Sequence, residues 1–173
     1  DLFWVGDHFF LPEEVYKRLG GDPEKRDKLD AWTFLAAVAG RTEKVRIGTR
    51  VSPIPFYQPS RLAKIVTTVD IISKGRVVLG VGAGWFMEEA VAYGITWDKF
   101  SVRLDKLKEG LEVINRLWTT DHPSYSGKYY QIQKAPFYPK PIQKPHPPIW
   151  FGGSSDKILK MAAQMGQGWI PSS

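Results

Sequence analysis

The sequence contains no cysteine. That absence excludes disulfides, thiolate nucleophiles and cysteine-ligated zinc or iron–sulfur centres together. Long apolar runs are missing as well. No window approaches the ~20 apolar residues that span a bilayer, and no charged start followed by an apolar core resembles a signal peptide. The expectation is a cytoplasmic protein with no membrane partner. Histidine is scarce at three copies. His122 and His146 fall in loop-like stretches and nothing has H-E-x-x-H spacing, so no metal site is expected. Basic blocks are lacking too: the net charge is +6, but lysines and arginines are interleaved with acids, as in "RLDKLKEGLE". Nucleic acid is therefore not expected as a partner. Asn115 is the single asparagine. With absent cysteine and abundant lysine, it hints at a heat-adapted source.

What is present suits a folded core. The 173 residues are 43% hydrophobic and 13% aromatic, enough for one globular domain over residues 1–173. Short apolar runs alternate with helical patterns. "LFWVG" reads as a buried strand, and "LDAWTFLAAVAGRT" as a helix with Asp30 as N-cap and Gly40 as its stop; the stretch between them reads as a polar loop. "KVRIGTRV" is the next strand. "QPSRLAKIVTTVDIISKG" is a helix with Pro59 in its first turn, an apolar face of Leu62, Ile65, Val69 and Ile72, and Gly75 at its end. "RVVLGVGAG" is a strand entering a glycine-rich turn. The longest helix begins near Ser101, with Leu104, Leu107, Leu111, Ile114 and Trp118 on one stripe. Residues 120–147 read as an insertion. In it, "YSGKYYQIQ" is a hairpin turning at Ser126-Gly127, and the run from Pro136 to Pro148 can be neither helix nor central strand. "PIWFGG", "SDKILKMAAQMG" and "GWIPSS" complete the alternation.

Strands separated by helices of ten or more residues pair in parallel under helical cover. A doubly wound sheet and a (β/α) barrel both satisfy this. Polar or glycine-rich residues follow each apolar run on its C-terminal side, at Asp7-His8, Thr49 to Ser52, Gly82 to Gly84 and Gly152 to Ser155. Several strands feeding one rim is the behaviour of a (β/α)8 TIM barrel. About five of its eight βα units are present, so the expectation is the central part of a longer barrel. A shortened barrel, or one completed by a partner subunit, is the alternative.

"LGVGAGW" fails the G-x-G-x-x-G dinucleotide fingerprint, because Gly80, Gly82 and Gly84 run G-x-G-x-G. A tight turn and close backbone approach to a ligand both remain open. "FGGSS" opens a helix directly, so its amides with Ser154 and Ser155 form an anion site suited to a phosphate-bearing cofactor. An ordinary N-cap by Ser155 would need neither preceding glycine. His8 beside Asp7 is either a structural pair or, given its place on the rim, functional. Glu88 and Glu89 read first as acids at a helix N-terminus and second as site carboxylates. Trp4, Trp85 and Trp169 lie at strand ends, where they could face a planar ring.

"WVGDHF", "IGTRVSPIPFYQPSRLAK", "GRVVLGVGAGW", "RLDKLKEGLEVINRLW" and "WFGGSSDKILKMAAQMGQGWIPSS" together, in this order, resemble the bacterial luciferase-like monooxygenase family, particularly its deazaflavin-dependent branch. The resemblance covers nearly the whole chain. It implies a barrel that binds FMN or the deazaflavin coenzyme F-420 at its C-terminal rim. It assigns Asp7 to a cofactor contact and His8 to proton transfer. A non-prolyl cis peptide at Arg50-Val51 would back the ring, with Ser52, Ala83, Gly84 and Trp85 in the same cofactor-facing set. Gly152, Gly153, Ser154 and Ser155 would hold the phosphate, and Ser172 matches a substrate-side position. Two departures stand out. Relatives that oxidise a sugar phosphate carry a catalytic Glu where this chain has Trp85, and Arg50 replaces the small residue common before the cis bond.

The expected function is a flavin- or deazaflavin-dependent oxidoreductase passing hydride to or from a small organic substrate, with His8 as acid or base. The family resemblance adds a homodimer. Three alternatives remain: an FMN-dependent monooxygenase using molecular oxygen, a non-catalytic flavin-binding protein with a shortened barrel, and a phosphate-binding isomerase or aldolase barrel.

Overall fold

Parallel strands buried on both faces need helical covers, and the element order supplies them. The computed structural model describes residues 1–18, 20–22, 24 and 28–171. β1 (Leu2–Val5) is followed by α1 (Glu13–Arg18) and α2 (Ala31–Arg41). β2 (Arg46–Thr49) and the short β3 (Ser52–Pro53) lead into α3 (Pro59–Ile72). β4 (Val77–Gly82) leads into α4 (Met87–Ala92) and the long α5 (Phe100–Thr119). A hairpin of β5 (Tyr125–Ser126) and β6 (Gln131–Ile132) precedes β7 (Ile149–Gly152), α6 (Asp156–Met165) and β8 (Gly168–Ile170). The sheet runs β1-β2-β4-β7-β8 with every neighbouring pair parallel, and β3 pairs with β4 off that path. The architecture is an α/β parallel half-barrel.

Side chains alternate between the two faces of each strand. Ile47, Val77, Leu79, Val81, Ile149 and Phe151 join Leu35, Leu62, Val66, Leu107, Leu111 and Ile114 from the covering helices in one buried core. Truncating a fully buried member such as Leu107 to Ala would cost about 2–5 kcal/mol. The opposite face carries Trp4 and Trp150, whose ring centroids lie 5.6 Å apart. Trp4 pairs with Gly48, and Trp150 with Gly80 and Gly168. The concave side thus alternates bulk with glycine.

Two polar side chains, one partly and one fully buried, tie the outer layer. Arg76 donates to the carbonyls of Ala39 (2.9 Å), Thr42 (2.7 Å) and Val45 (2.6 Å), closing the C-terminal end of α2. Asp70, fully buried on α3, accepts the N–H of Ile142 (2.8 Å) and of Gln143 (3.2 Å). That pins the proline-rich segment, whose missing donors leave it unable to pin itself in a ladder.

Several boundaries differ from the sequence reading. α1 lies in the stretch read as loop; it is short and buries none of its residues, so it has no apolar stripe to detect. α2 runs through Gly40 and is capped at Thr42 instead. On α3, Leu62 and Val69 are buried as expected, but Ile72 is exposed. Its inward row shifts to Leu62, Ala63, Val66, Val69 and Asp70, because Asp70 faces the proline-rich segment there. The hairpin turn is not Ser126-Gly127: Ser126 pairs with Gln131 inside the ladder. Residues 127–130 form the loop, and their backbone folds onto Glu109 of α5. The α5 stripe of Leu104, Leu107, Leu111, Ile114 and Trp118 is buried throughout. Among the described residues, no helix is long and apolar enough to cross a membrane.

Candidate functional site

β1 ends at Val5, and its chain emerges onto the C-terminal rim as Gly6-Asp7-His8. Asp7 is buried there, at 9% exposure. Its Oδ2 accepts from the Ser52 hydroxyl (2.6 Å) and the Tyr57 hydroxyl (2.7 Å). Ser52 in turn accepts from the indole N–H of Trp32 at 3.0 Å. Burial pushes the Asp7 carboxyl above its ordinary range, and the bonds from Ser52 and Tyr57 pull only part of the way back. Burial, with the Asp7 charge next in size, pushes the Tyr57 hydroxyl far upward, so it stays a proton donor. Among the described residues, Oδ1 of Asp7 takes no hydrogen bond.

His8, the next residue, is held differently. Its Nδ1 lies 2.8 Å from Oε2 of Glu89 on α4. Oε1 of the same carboxylate accepts the backbone N–H of Phe9 (2.5 Å) and Phe10 (3.4 Å). Glu89 is 1% exposed, so α4 meets the end of β1 through a buried carboxylate. Trp85 packs edge-on to the His8 ring at 5.7 Å. Phe9 stacks on Tyr93 at 4.0 Å, and both are exposed. With exposed Trp85 and Met87 they border the site with an apolar margin.

Between β2 and β3 the Arg50-Val51 peptide is cis, in place despite the arginine. Gly82 and Gly152 stand against the Val51 side chain, and a Cβ at Gly80 would run into the Thr49 carbonyl. The glycines of "LGVGAGW" therefore serve close packing of strand on strand: Gly80 and Gly82 are inside β4, and only Gly84 turns, at φ +81°. The turn reading holds for Gly84 alone. Arg103 holds that turn. Its Nε donates to the Ala83 carbonyl (3.1 Å), and its guanidinium lies 3.8 Å over the Trp97 ring. Burial lowers its proton affinity. Ala83 itself packs in the core.

At β7, Ser155 caps α6 by accepting from Ile158 N. The indole N–H of Trp169 binds the Gly153 carbonyl (2.7 Å), and Gly153 has φ +119°. Both glycines thus have packing reasons, Gly152 through Val51 and Gly153 through its backbone. Trp4, Arg50, Trp150, Trp169, Ile170 and Pro171 line an open groove on the concave side. The fold unites Asp7 with Ser52, His8 with Trp85, and Val51 with Gly152. Ser172 lies outside the described residues. No group of three or more His, Asp or Glu that could hold a metal ion occurs among the described residues.

Tyr57, Trp32 and the part played by Glu89 were not legible in advance. Tyr57 and Trp32 carry no spacing signal, since their partners come from other elements. Glu89 does leave a trace, as one of two adjacent acids in the first turn of α4, but that place alone does not point to His8.

The profile of the luciferase-like monooxygenase family matches residues 1–173. An F420-dependent glucose-6-phosphate dehydrogenase of Amycolatopsis mediterranei is 35% identical over 171 residues, covering 98% of this chain and 48% of the relative. Among solved structures, an F420-dependent secondary alcohol dehydrogenase in complex with an F420-acetone adduct superposes with TM-score 0.83 at 32% identity, over 99% of this chain and 49% of that one. A monooxygenase from Streptomyces bottropensis gives TM-score 0.78 at 29% identity, over 97% and 47%. The chain spans about half the length of the relatives it matches.

Proposed function

The chain belongs to the luciferase-like monooxygenase family, and from that premise we propose that it serves a flavin- or deazaflavin-dependent oxidoreductase, with coenzyme F-420 the preferred cofactor and FMN the other. One observation carries the reading. Two consecutive residues at the C-terminal rim each have one polar atom tied down, Asp7 Oδ2 by Ser52 and Tyr57 and His8 Nδ1 by Glu89. Each leaves its second atom, Oδ1 and Nε2, without a partner among the described residues.

That arrangement fits a planar ring bearing N–H donors. Asp7 would accept from the ring through Oδ1, and the Arg50-Val51 strand end, with Ser52, would back it. The Gly84-Trp85 turn would border it, and the amides from Gly152 to Ser155 would hold the phosphate. When bound, the cofactor supplies hydride transfer with the substrate carbon. The chain's own residues do the rest. Asp7 orients, the aromatic margin of Phe9, Trp85 and Tyr93 excludes water, and His8 Nε2 exchanges a proton with the substrate oxygen.

The substrate is a small, largely apolar alcohol or carbonyl compound. Trp85 stands where sugar-phosphate-oxidising relatives carry their Glu, and Phe9, Met87 and Tyr93 add apolar surface beside it. A homodimer in the cytoplasm, with residues 120–147 as an insertion outside the barrel, completes the proposal. The FMN-dependent monooxygenase reading is favoured by one observation, the likeness to the Streptomyces bottropensis enzyme.

The test is a fluorescence titration with F-420 and with FMN, followed by turnover of a panel of small alcohols and carbonyls, with oxygen consumption monitored. Binding of F-420 with oxygen-independent turnover is the expected result. Binding of neither cofactor at micromolar concentration would sink the reading.

A further inference from the structure

Glu89 is buried and does not line the groove, yet among the described residues it is the single carboxylate hydrogen-bonded to His8. An ionised carboxylate only accepts hydrogen bonds. Facing such a carboxylate oxygen, Glu89 Oε2 at 2.8 Å, Nδ1 of His8 would be the donor. We infer that Glu89 is a positioning residue that fixes His8 in the Nδ1–H tautomer, so that the neutral ring presents an unprotonated Nε2 as a proton acceptor.

The geometry makes this a specific constraint rather than a general contact. Oε1 is already committed to the N–H groups of Phe9 and Phe10. The carboxylate cannot rotate away from His8 without taking the acceptor from two partly buried backbone donors. The same residue therefore sets the backbone after His8 and the proton on its ring. Because Glu89 belongs to α4, the turn carrying Gly84 and Trp85 is held in register with the Asp7-His8 end of β1.

A single substitution separates the two jobs. In Glu89→Gln the side-chain carbonyl must stay on Phe9 and Phe10, since backbone N–H groups can only donate. Its –NH2 then faces Nδ1, which must become the acceptor, and the ring proton moves to Nε2. The shape is kept and the tautomer inverted. The consequence for turnover rests on the oxidoreductase reading above, whereas the tautomer itself does not.

The experiment is a two-bond 1H–15N correlation spectrum of the histidine rings at alkaline pH. It is recorded on the wild-type protein and Glu89→Gln, with His122→Gln and His146→Gln used for assignment. The expected result is His8 with its proton on Nδ1 in the wild type and on Nε2 in Glu89→Gln. Affinity for F-420 should be unchanged, and kcat should fall by about 100-fold or more without a matching rise in KM. A wild-type His8 protonated on Nε2 overturns the inference, even if Glu89→Gln does not fold. The same tautomer in both proteins overturns it equally. A protein that binds neither cofactor removes the oxidoreductase reading, and the nitrogen shifts still decide the role of Glu89.

Discussion

Val51 lies so close to Gly82 that a Cβ on the glycine would stand 2.7 Å from a Val51 methyl, and a Cβ on Gly152 would stand 2.7 Å from the other. One side chain thus occupies the space of three, filling the concave side where β2, β4 and β7 converge. Gly152→Ala should lower stability by about 1–3 kcal/mol through overpacking, seen as a lower urea midpoint at unchanged slope. Combining it with Val51→Ala removes the clash. The double variant should be more stable than the sum of the two single losses predicts; simple additivity would mean that the contact is not shared.

Asp7 carries a stability cost of burial. Its carboxyl is raised by burial, so the folded state holds this proton more tightly than the unfolded chain. The contribution is present below the unfolded value of 3.8 and is lost as pH rises through the folded one. Asp7→Asn can keep both bonds, from Ser52 and Tyr57, on its carbonyl oxygen. It should match or exceed wild-type stability at pH 7, with the advantage shrinking as pH falls toward 3.8. Its –NH2 would replace Oδ1, so cofactor affinity should fall. Thermal melts across pH, paired with the F-420 titration, check both halves.

The contrast between Asp7 and Tyr57 shows what the sequence carries and what it hides. Asp7-His8 was legible because a parallel strand buried on both faces stays apolar until it emerges, so the first polar pair marks the rim. The α5 stripe was legible through its period. Tyr57 was not, because its hydroxyl finds Asp7 across 50 positions of sequence and no local pattern reports such a partner. Gly82 and Gly152 were visible as glycines, but their reason is a third residue, Val51, that only the folded sheet brings against them. Glu89 fell between: an acid near a helix start satisfies the dipole rule, and that local explanation concealed its bond to His8.

Glu109 anchors the hairpin by accepting the N–H of Lys128 (3.0 Å), Tyr129 (2.8 Å) and Tyr130 (3.2 Å). Desolvation is the largest single influence on its carboxyl and acts upward, but the three backbone donors together outweigh it and hold it below the ordinary range. The sign is therefore opposite to that of Asp7. The stabilisation is present above the unfolded value and is lost as pH falls through the lowered folded one. Acid below the ordinary carboxylate value of 4.5 should loosen residues 127–130 before the sheet opens, and Glu109→Gln should loosen them at pH 7. Limited proteolysis after Lys128 reports the change; equal protection in both proteins would exclude the anchor.

His8→Ala tests the rim from the substrate side. Removing the imidazole leaves Oε2 of Glu89 buried without its donor, while Phe9 and Phe10 still hold Oε1. A stability loss of about 1–3 kcal/mol is expected for that unsatisfied oxygen. Asp7, Ser52 and Tyr57 keep their own bonds, so F-420 affinity should change little. Proton transfer at Nε2 is lost outright, and general acid–base assistance is worth about 10²- to 10⁴-fold, so kcat should drop by that order with KM nearly constant. Raised imidazole in the buffer should restore part of the rate if a cavity opens beside Trp85, where the ring packed at 5.7 Å. Turnover retained at the wild-type rate would place the proton transfer on another group and leave His8 as a structural partner of Glu89.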